Sequence, residues 1–191
     1  HHEVPYEEAA DGRRVYCIPP ADAVVNPKQI DCPYPFKGLC GAAVVFKLVQ
    51  VLYALMGFPG EEALQYLENA AFATVGDVMD LQGENRILVK EGLKSLNHTK
   101  NYGMRALASR NQIALGAIRA YHIGFVLGPC LNASGRLDTA KRALKMLLAE
   151  DEYQAAEYAG DLYDLNASRK EMTERGVQQA KELIRQMGLE Q

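Results

Sequence analysis

Apolar positions along the chain recur mainly at helical spacing. Across positions 41–56, Val44, Val45, Leu48, Val49, Leu52, Leu55 and Met56 lie three and four apart with few charges between them, which predicts a largely buried helix ended by Gly57. Pro59 opens a second helix through Ala63, Leu64 and Leu67 towards Ala71, because proline is tolerated in a first helical turn. Beyond Gly83 a third turns Ile87, Leu88 and Leu93 inward and shows Arg86, Lys90 and Lys94 outward, every four residues on one face. Two more are expected over 104–109 and 113–121, and another after Asp138, whose carboxylate would cap its N-terminus. Ala140, Ala143, Leu144, Leu147 and Leu148 would be its buried side. In the last forty residues Leu162, Leu165, Met172, Val177, Ala180, Ile184 and Met187 follow a period near 3.6, predicting one long amphipathic helix with Gly160 and Gly176 as its points of weakness.

Strand signal is confined to the start. Residues 14–18 and 23–25 are rich in β-formers and are stopped by Pro19-Pro20 and Asn26-Pro27. Residues 31–38, with Pro33, Pro35 and Gly38, read as a loop leading into a helix whose first backbone N–H groups have no partner. The expectation is a predominantly α-helical chain with a few short N-terminal strands. With 191 residues and 48% hydrophobic composition it can bury a core as one or two domains.

Cys17, Cys32, Cys40 and Cys130 show neither a C-x-x-C pair nor a secreted disulfide spacing, so free thiols are expected. No run approaches the ~18 to 20 apolar residues of a membrane span, and no signal peptide opens the chain. Together these predict a cytoplasmic protein with no membrane partner.

The net charge of −3 argues against a polyanion partner until its distribution is considered. From Gly92 to Leu137 there is no Asp or Glu, yet Lys94, Lys100, Arg105, Arg110, Arg119 and Arg136 are present. A basic middle between acidic ends suits a channel for a phosphate backbone; helix faces that merely happen to be basic fit equally well.

Three features carry candidate chemistry. His1-His2 opens the chain, where paired histidines are commonly a tag remnant. Asp77 sits in the apolar stretch 70–79, where a carboxylate needs a partner: a metal ion, a basic side chain, or a backbone N–H if it caps a helix. Asp80, nearer the polar Gln82-Gly83 turn, is the weaker candidate. Residues 128–137, Gly-Pro-Cys-Leu-Asn-Ala-Ser-Gly-Arg-Leu, read as a glycine-bounded loop whose Asn132, Ser134 and Arg136 could meet a phosphate, or as an ordinary interhelical turn.

Several of these motifs, in order and over nearly the whole chain, resemble the RecJ-type single-strand-specific exonucleases of the DHH phosphodiesterase family. His1-His2-Glu3 resembles the end of the Asp-His-His motif, without its aspartate. The segments 21–28, 34–41, 74–78, 83–90 and 128–137 resemble the segments that follow in that family. Motifs matched in sequence order outweigh the tag reading of His1-His2.

The resemblance implies a parallel α/β core with a two-metal site holding manganese or magnesium. His2 and Asp77 would be metal ligands, and His1 a residue near the metal or the attacked phosphate. An imidazole with a carboxylate suits manganese better than magnesium, which prefers oxygen alone. Arg86, Lys90, Lys94, Asn132, Ser134 and Arg136 would contact the phosphates of single-stranded DNA, with repair or replication proteins as further partners. Residues 1–97 would be the C-terminal part of the DHH catalytic domain and 98–149 its helical continuation. Residues 150–191 would be a connector helix toward a DHH-associated domain.

The family's other metal-binding aspartates, including an Asp-x-Asp motif, have no counterpart in this sequence, so the chain is expected to be inactive alone. Two other functions stay open: a DHH-type phosphodiesterase acting on short RNA or dinucleotides, and a non-catalytic scaffold binding DNA or protein.

Overall fold

A computed structural model describes residues 1–189. The chain forms two compact units, His1–Leu96 and Asn97–Gln191.

The first unit begins with an antiparallel hairpin, β1 (Tyr6–Glu8) and β2 (Arg14–Tyr16), in the register Tyr6↔Tyr16. Its turn is built by Asp11, whose Oδ1 accepts from the Arg13 N–H at 3.1 Å, and by Gly12 at φ +79°. Tyr6 and Tyr16 stack across the pair with ring centroids 5.9 Å apart, and the Arg14 guanidinium lies over the Tyr6 ring. The strand expected at 14–18 is present over Arg14–Tyr16. The one expected at 23–25 is not: the Val24 carbonyl is taken by the Gln29 side chain in a compact turn instead of a ladder. Tyr6–Glu8 was hidden by its two glutamates.

Helices α1 (Gly41–Leu55), α2 (Leu67–Gly76) and α3 (Gly83–Leu96) complete this unit, with a 3-10 segment, Gly60–Tyr66, before α2. Leu39, Cys40, Ala43, Phe46, Ala70 and Leu88 form its core. Helix α3 packs on α2 so closely that a Cβ at Gly92 would lie 2.3 Å from the Ala71 methyl. Two burial expectations are corrected. Helix α1 hides only Ala43 and Phe46 while Val45, Leu48, Val51, Leu52 and Leu55 are exposed, because a helix apolar all round needs neighbours on every side and α1 has them on one. Ile87 is also exposed; Leu88 and Val89 face inward.

The second unit contains α4 (Tyr102–Arg110), α5 (Ala120–His122), a π-helical turn Ile123–Leu127, α6 (Gly128–Leu137), α7 (Lys141–Leu147) and α8 (Glu152–Gln186). Asn101 caps α4 by accepting from the Met104 N–H at 2.9 Å, and Asp151 caps α8 by accepting from the Gln154 N–H at 2.8 Å. Residues 113–119 are irregular, with a turn at Leu115-Gly116, so the helix expected over 113–121 starts only at Ala120. Its Ile118 is pinned by Asn97, which donates to the Ile118 carbonyl and accepts from its N–H. The 128–137 segment is helix, not loop, since Pro129 occupies its first turn.

Asp138 ends α6 and pairs with Arg142, so it does not cap α7, which follows Ala140. Met146 is the fully buried residue of α7, while Ala140, Leu144 and Leu148 are exposed. Helix α8 is continuous through Gly160 and Gly176, burying Ala155, Ala159, Leu162 and Asn166 in its first half only. Among the described residues the four cysteines are free and no helix is long and apolar enough to cross a membrane.

Candidate metal centre and nucleic-acid interface

The N-terminal histidines are held by the Asn26-Pro27-Lys28 turn. Asn26 Oδ1 accepts from the Lys28 N–H at 3.1 Å, and its Nδ2 donates to the His2 carbonyl at 2.9 Å. Lys28 Nζ pairs with Glu3. With the His2 carbonyl held and the Glu3 side chain paired, the His1 and His2 rings lie 4.1 Å apart, tilted by 44°.

His1 rests on the first residue of α1: a Cβ at Gly41 would come within 2.9 Å of His1 Nδ1, so a side chain there would push the ring from this position. No side chain caps this helix, and the partial positive charge of its first turn lies beside the imidazole.

Cys40, the residue before Gly41, ties the start of α1 to the end of α2. The Thr74 hydroxyl spends its proton on the Ala70 carbonyl at 2.7 Å, so the Cys40 thiol is the donor in its 3.4 Å contact with Thr74 Oγ1. Asp77 follows Thr74 by about one helical turn and terminates α2.

The end of α2 is a Schellman motif. Met79 N–H reaches the Thr74 carbonyl and Val78 N–H the Val75 carbonyl, both at 3.1 Å. The left-handed position of that motif normally takes glycine, yet here it is Val78 at φ +56° and 88% exposed. A β-branched residue in this conformation costs on the order of 1 to 3 kcal/mol, strain of a kind that concentrates at functional turns.

Asp77 is exposed, which corrects the expectation of an apolar environment. It caps no N-terminus; it sits at the C-terminal, partially negative end of α2, where a carboxylate gains from a nearby cation. Asp80 is exposed as well, and its carbonyl and that of Gly38 both accept from the buried Asn85 Nδ2, at 3.0 and 2.8 Å. Among the described residues no three His, Cys, Asp or Glu side chains are grouped to hold a metal ion. Two exposed donors, His2 and Asp77, fall short of the six-coordinate shell a divalent ion of this class prefers, so they fit only as part of a larger set.

The proposed phosphate contacts divide by environment. Arg86 and Lys90 are exposed and make no ion pair among the described residues, whereas Lys94 is bound by Glu91 at 2.8 Å. Asn132 and Arg136, four apart on α6, are exposed. Ser134 is not: it is fully buried and its hydroxyl donates to the Leu131 carbonyl at 3.0 Å, so helix formation turns it away from any phosphate.

The acid-free middle is also less positive than its sequence suggests. Arg105 pairs with Glu152 at 3.0 Å and Arg110 with Asp164 at 3.5 Å, both acids supplied by α8. Lys100, Arg119 and Arg136 make no ion pair among the described residues. Sequence reasoning missed Asn26, Gly41 and Asn85 as anchors of the site. An Asn-Pro turn, a glycine opening a helix and an amide among apolar neighbours were the signals available.

No family model matches the chain. Curated relatives do. The single-stranded-DNA-specific exonuclease RecJ of Bacillus subtilis is 36% identical over 174 residues, covering 91% of this chain and 21% of that protein. The RecJ of Thermus thermophilus is 37% identical over 157 residues, covering 82% of this chain and 22% of its own length. Among solved structures, RecJ from Thermus thermophilus in complex with Mg2+ matches with a TM-score of 0.70 at 35% identity, over 77% of this chain and 23% of that one. The Mn2+ complex gives the same score over 78% of this chain. Over most of its length the chain is therefore RecJ-like, and it spans about a fifth of the length of these relatives.

Proposed function

We propose that this RecJ-like chain is part of a divalent-metal-dependent exonuclease that hydrolyses phosphodiester bonds of single-stranded DNA in the 5′ to 3′ direction. It would act in recombination and repair, in the cytoplasm, and be inactive as this segment alone. The supporting relatives are named single-stranded-DNA-specific exonucleases, and the matched RecJ structures were solved with Mg2+ or Mn2+.

The observation that carries the reading is the chain of contacts from His1 on Gly41, through Cys40 and Thr74, to the turn that bears Asp77. In this reading His2 and Asp77 are two ligands of the metal site, and His1 lies near the metal or the attacked phosphate. When bound, two ions would neutralise the phosphate and make water nucleophilic at neutral pH. The residues of this chain would do the rest. Asn26 fixes the histidine backbone, the α1 N-terminus favours the anion, and the Val78 turn holds the carboxylate outward.

Arg86, Lys90, Lys94, Asn132 and Arg136 would contact DNA phosphates, with Lys94 shared with Glu91 and Ser134 removed by its burial. Residues 1–97 would be the end of the catalytic domain, 98–149 its helical continuation and 150–191 a connector. Manganese is the preferred ion, for its tolerance of mixed nitrogen and oxygen donors.

The test is hydrolysis of a 5′-phosphorylated single strand and of the matching duplex by the full-length protein with Mn2+. The proposal expects nucleotide release from the single strand, little from the duplex, and none with a chelator. Absent hydrolysis would leave the non-catalytic scaffold, which the incomplete donor set also fits, and equal hydrolysis of the duplex would remove the single-strand specificity.

A further inference from the structure

From Ala120 to Leu137 the chain is one helical run interrupted by the π turn at Ile123–Leu127, closed by the Gly128 N–H donating to the Ile123 carbonyl five residues back. Its inner face is fixed: Ile123, Leu127 and Cys130 are at most 1% exposed. Its outer face carries large aromatic rings. Tyr121 is 63% and Phe125 70% exposed, with their ring centroids 5.1 Å apart and tilted by 30°.

Exposing two such rings side by side forfeits the apolar burial that each would gain in a core. They are also pre-arranged. His122 packs edge-on to Tyr121 with centroids 5.8 Å apart, and its own ring is held because Nδ1 accepts from the Arg119 N–H at 3.1 Å. π turns of this kind re-aim side chains and recur at functional sites.

What surrounds the rings selects the occupant. Arg119 is exposed, makes no ion pair among the described residues, and directly precedes the helix. Further along lie the exposed Asn132 and Arg136, and no acid occurs anywhere from Gly92 to Leu137. From Tyr121 to Arg136 the run covers about 22 Å at helical rise. Flat apolar rings flanked by free guanidinium groups complement a ligand whose bases stack and whose backbone is anionic.

We infer that Tyr121 and Phe125 form a base-stacking platform for single-stranded nucleic acid, with Arg119 at one edge neutralising a backbone phosphate. The inference rests on the single-strand reading above and extends it to residues which that reading leaves without a role. Stacking is indifferent to sequence, since every base has a π face, so the platform holds the strand without selecting it.

The experiment measures binding of this chain to fluorescent oligo(dT) and to an abasic strand of equal length across a salt series. Unaltered protein should prefer oligo(dT). Removing both rings, Tyr121→Ala with Phe125→Ala, should weaken oligo(dT) binding by roughly tenfold or more, leave the salt slope unchanged, and leave the abasic strand bound as before. Arg119→Gln should instead reduce the slope by about one.

Tyr121→Phe and Phe125→Tyr keep the rings and should keep the affinity, and circular dichroism confirms that each variant is folded. The platform is overturned if the double alanine variant binds oligo(dT) like the unaltered chain, or if the ring-retaining variants lose as much. It is overturned equally if unaltered protein ignores the bases or binds no strand, or if the alanines only dissolve a self-associated form seen by sedimentation. Hydrolysis by the full-length protein separates the two readings. Activity with no stacking effect removes the platform alone, and stacking without hydrolysis removes the nuclease alone.

Discussion

Replacing Gly92 by alanine tests the tightest contact in the first unit. The added methyl would lie 2.3 Å from the Ala71 Cβ and 2.7 Å from the Leu67 carbonyl oxygen. Ordinary carbon contacts begin near 3.5 to 4.0 Å, so α2 and α3 must separate by more than about 1 Å or bend. Neither obstacle can swing aside, because one is helix backbone and the other a methyl of fully buried Ala71.

Overpacking of this kind costs about 1 to 3 kcal/mol, and alanine recovers about 1 kcal/mol of helix propensity over glycine. With rigid neighbours the clash should prevail by about 2 kcal/mol, which for a chain of this size lowers the thermal midpoint by about 4 to 8 °C. Gly160→Ala is the control: nothing lies within 4 Å of the added methyl, so propensity acts alone and the midpoint should rise by about 2 to 4 °C. Thermal unfolding followed by far-UV circular dichroism measures both. A Gly92→Ala protein as stable as the unaltered one, or a fall of equal size at both sites, would refute the packing argument.

Two further outcomes follow from local strain and from ionisation. Val78→Gly should relieve the left-handed turn and stabilise the chain by about 1 kcal/mol in denaturant titration; a loss of stability would show that Val78 is not strained. Burial and then the Glu84 hydrogen bonds raise the Tyr34 hydroxyl above its ordinary value. For Lys47, burial pulls downward but the hydrogen bond and charge of Glu84 outweigh it, so its ammonium is also raised. Both folded values exceed the unfolded ones, so this stabilisation is whole below about pH 10 and lost as pH rises through the folded values. Thermal midpoints should fall above about pH 10, and less steeply in Glu84→Gln; parallel falls in the two proteins would contradict the linkage.

Helix count and order in the first unit were legible because its apolar positions repeat at 3.6 residues. Burial was not, since periodicity marks which side is apolar and says nothing about whether a neighbour covers it: α1 reads as a core helix and lies half bare. In the second unit the glycines of 128–137 suggested a loop. Helix formed instead because Pro129 fits a first turn and because Cys130 and Ala133 are drawn inside, carrying Ser134 with them. Charge misled for a similar reason. The acid-free middle is answered by Glu152 and Asp164, acids more than forty residues away on α8, and sequence windows do not see such pairings. Asp77 stands out in the sequence by its neighbours' hydrophobicity, yet it is exposed at a helix end, because an apolar stretch does not show where the helix that contains it stops.

The reading of Asp77 as a metal-ligating carboxylate is tested most directly by single-turnover cleavage of a single strand by the full-length protein, comparing Asp77→Ala with Asp80→Ala across a Mn2+ titration. A fall of several orders of magnitude at Asp77, with Asp80→Ala close to the unaltered protein, is the result expected. Cleavage that survives Asp77→Ala at every Mn2+ concentration would contradict it.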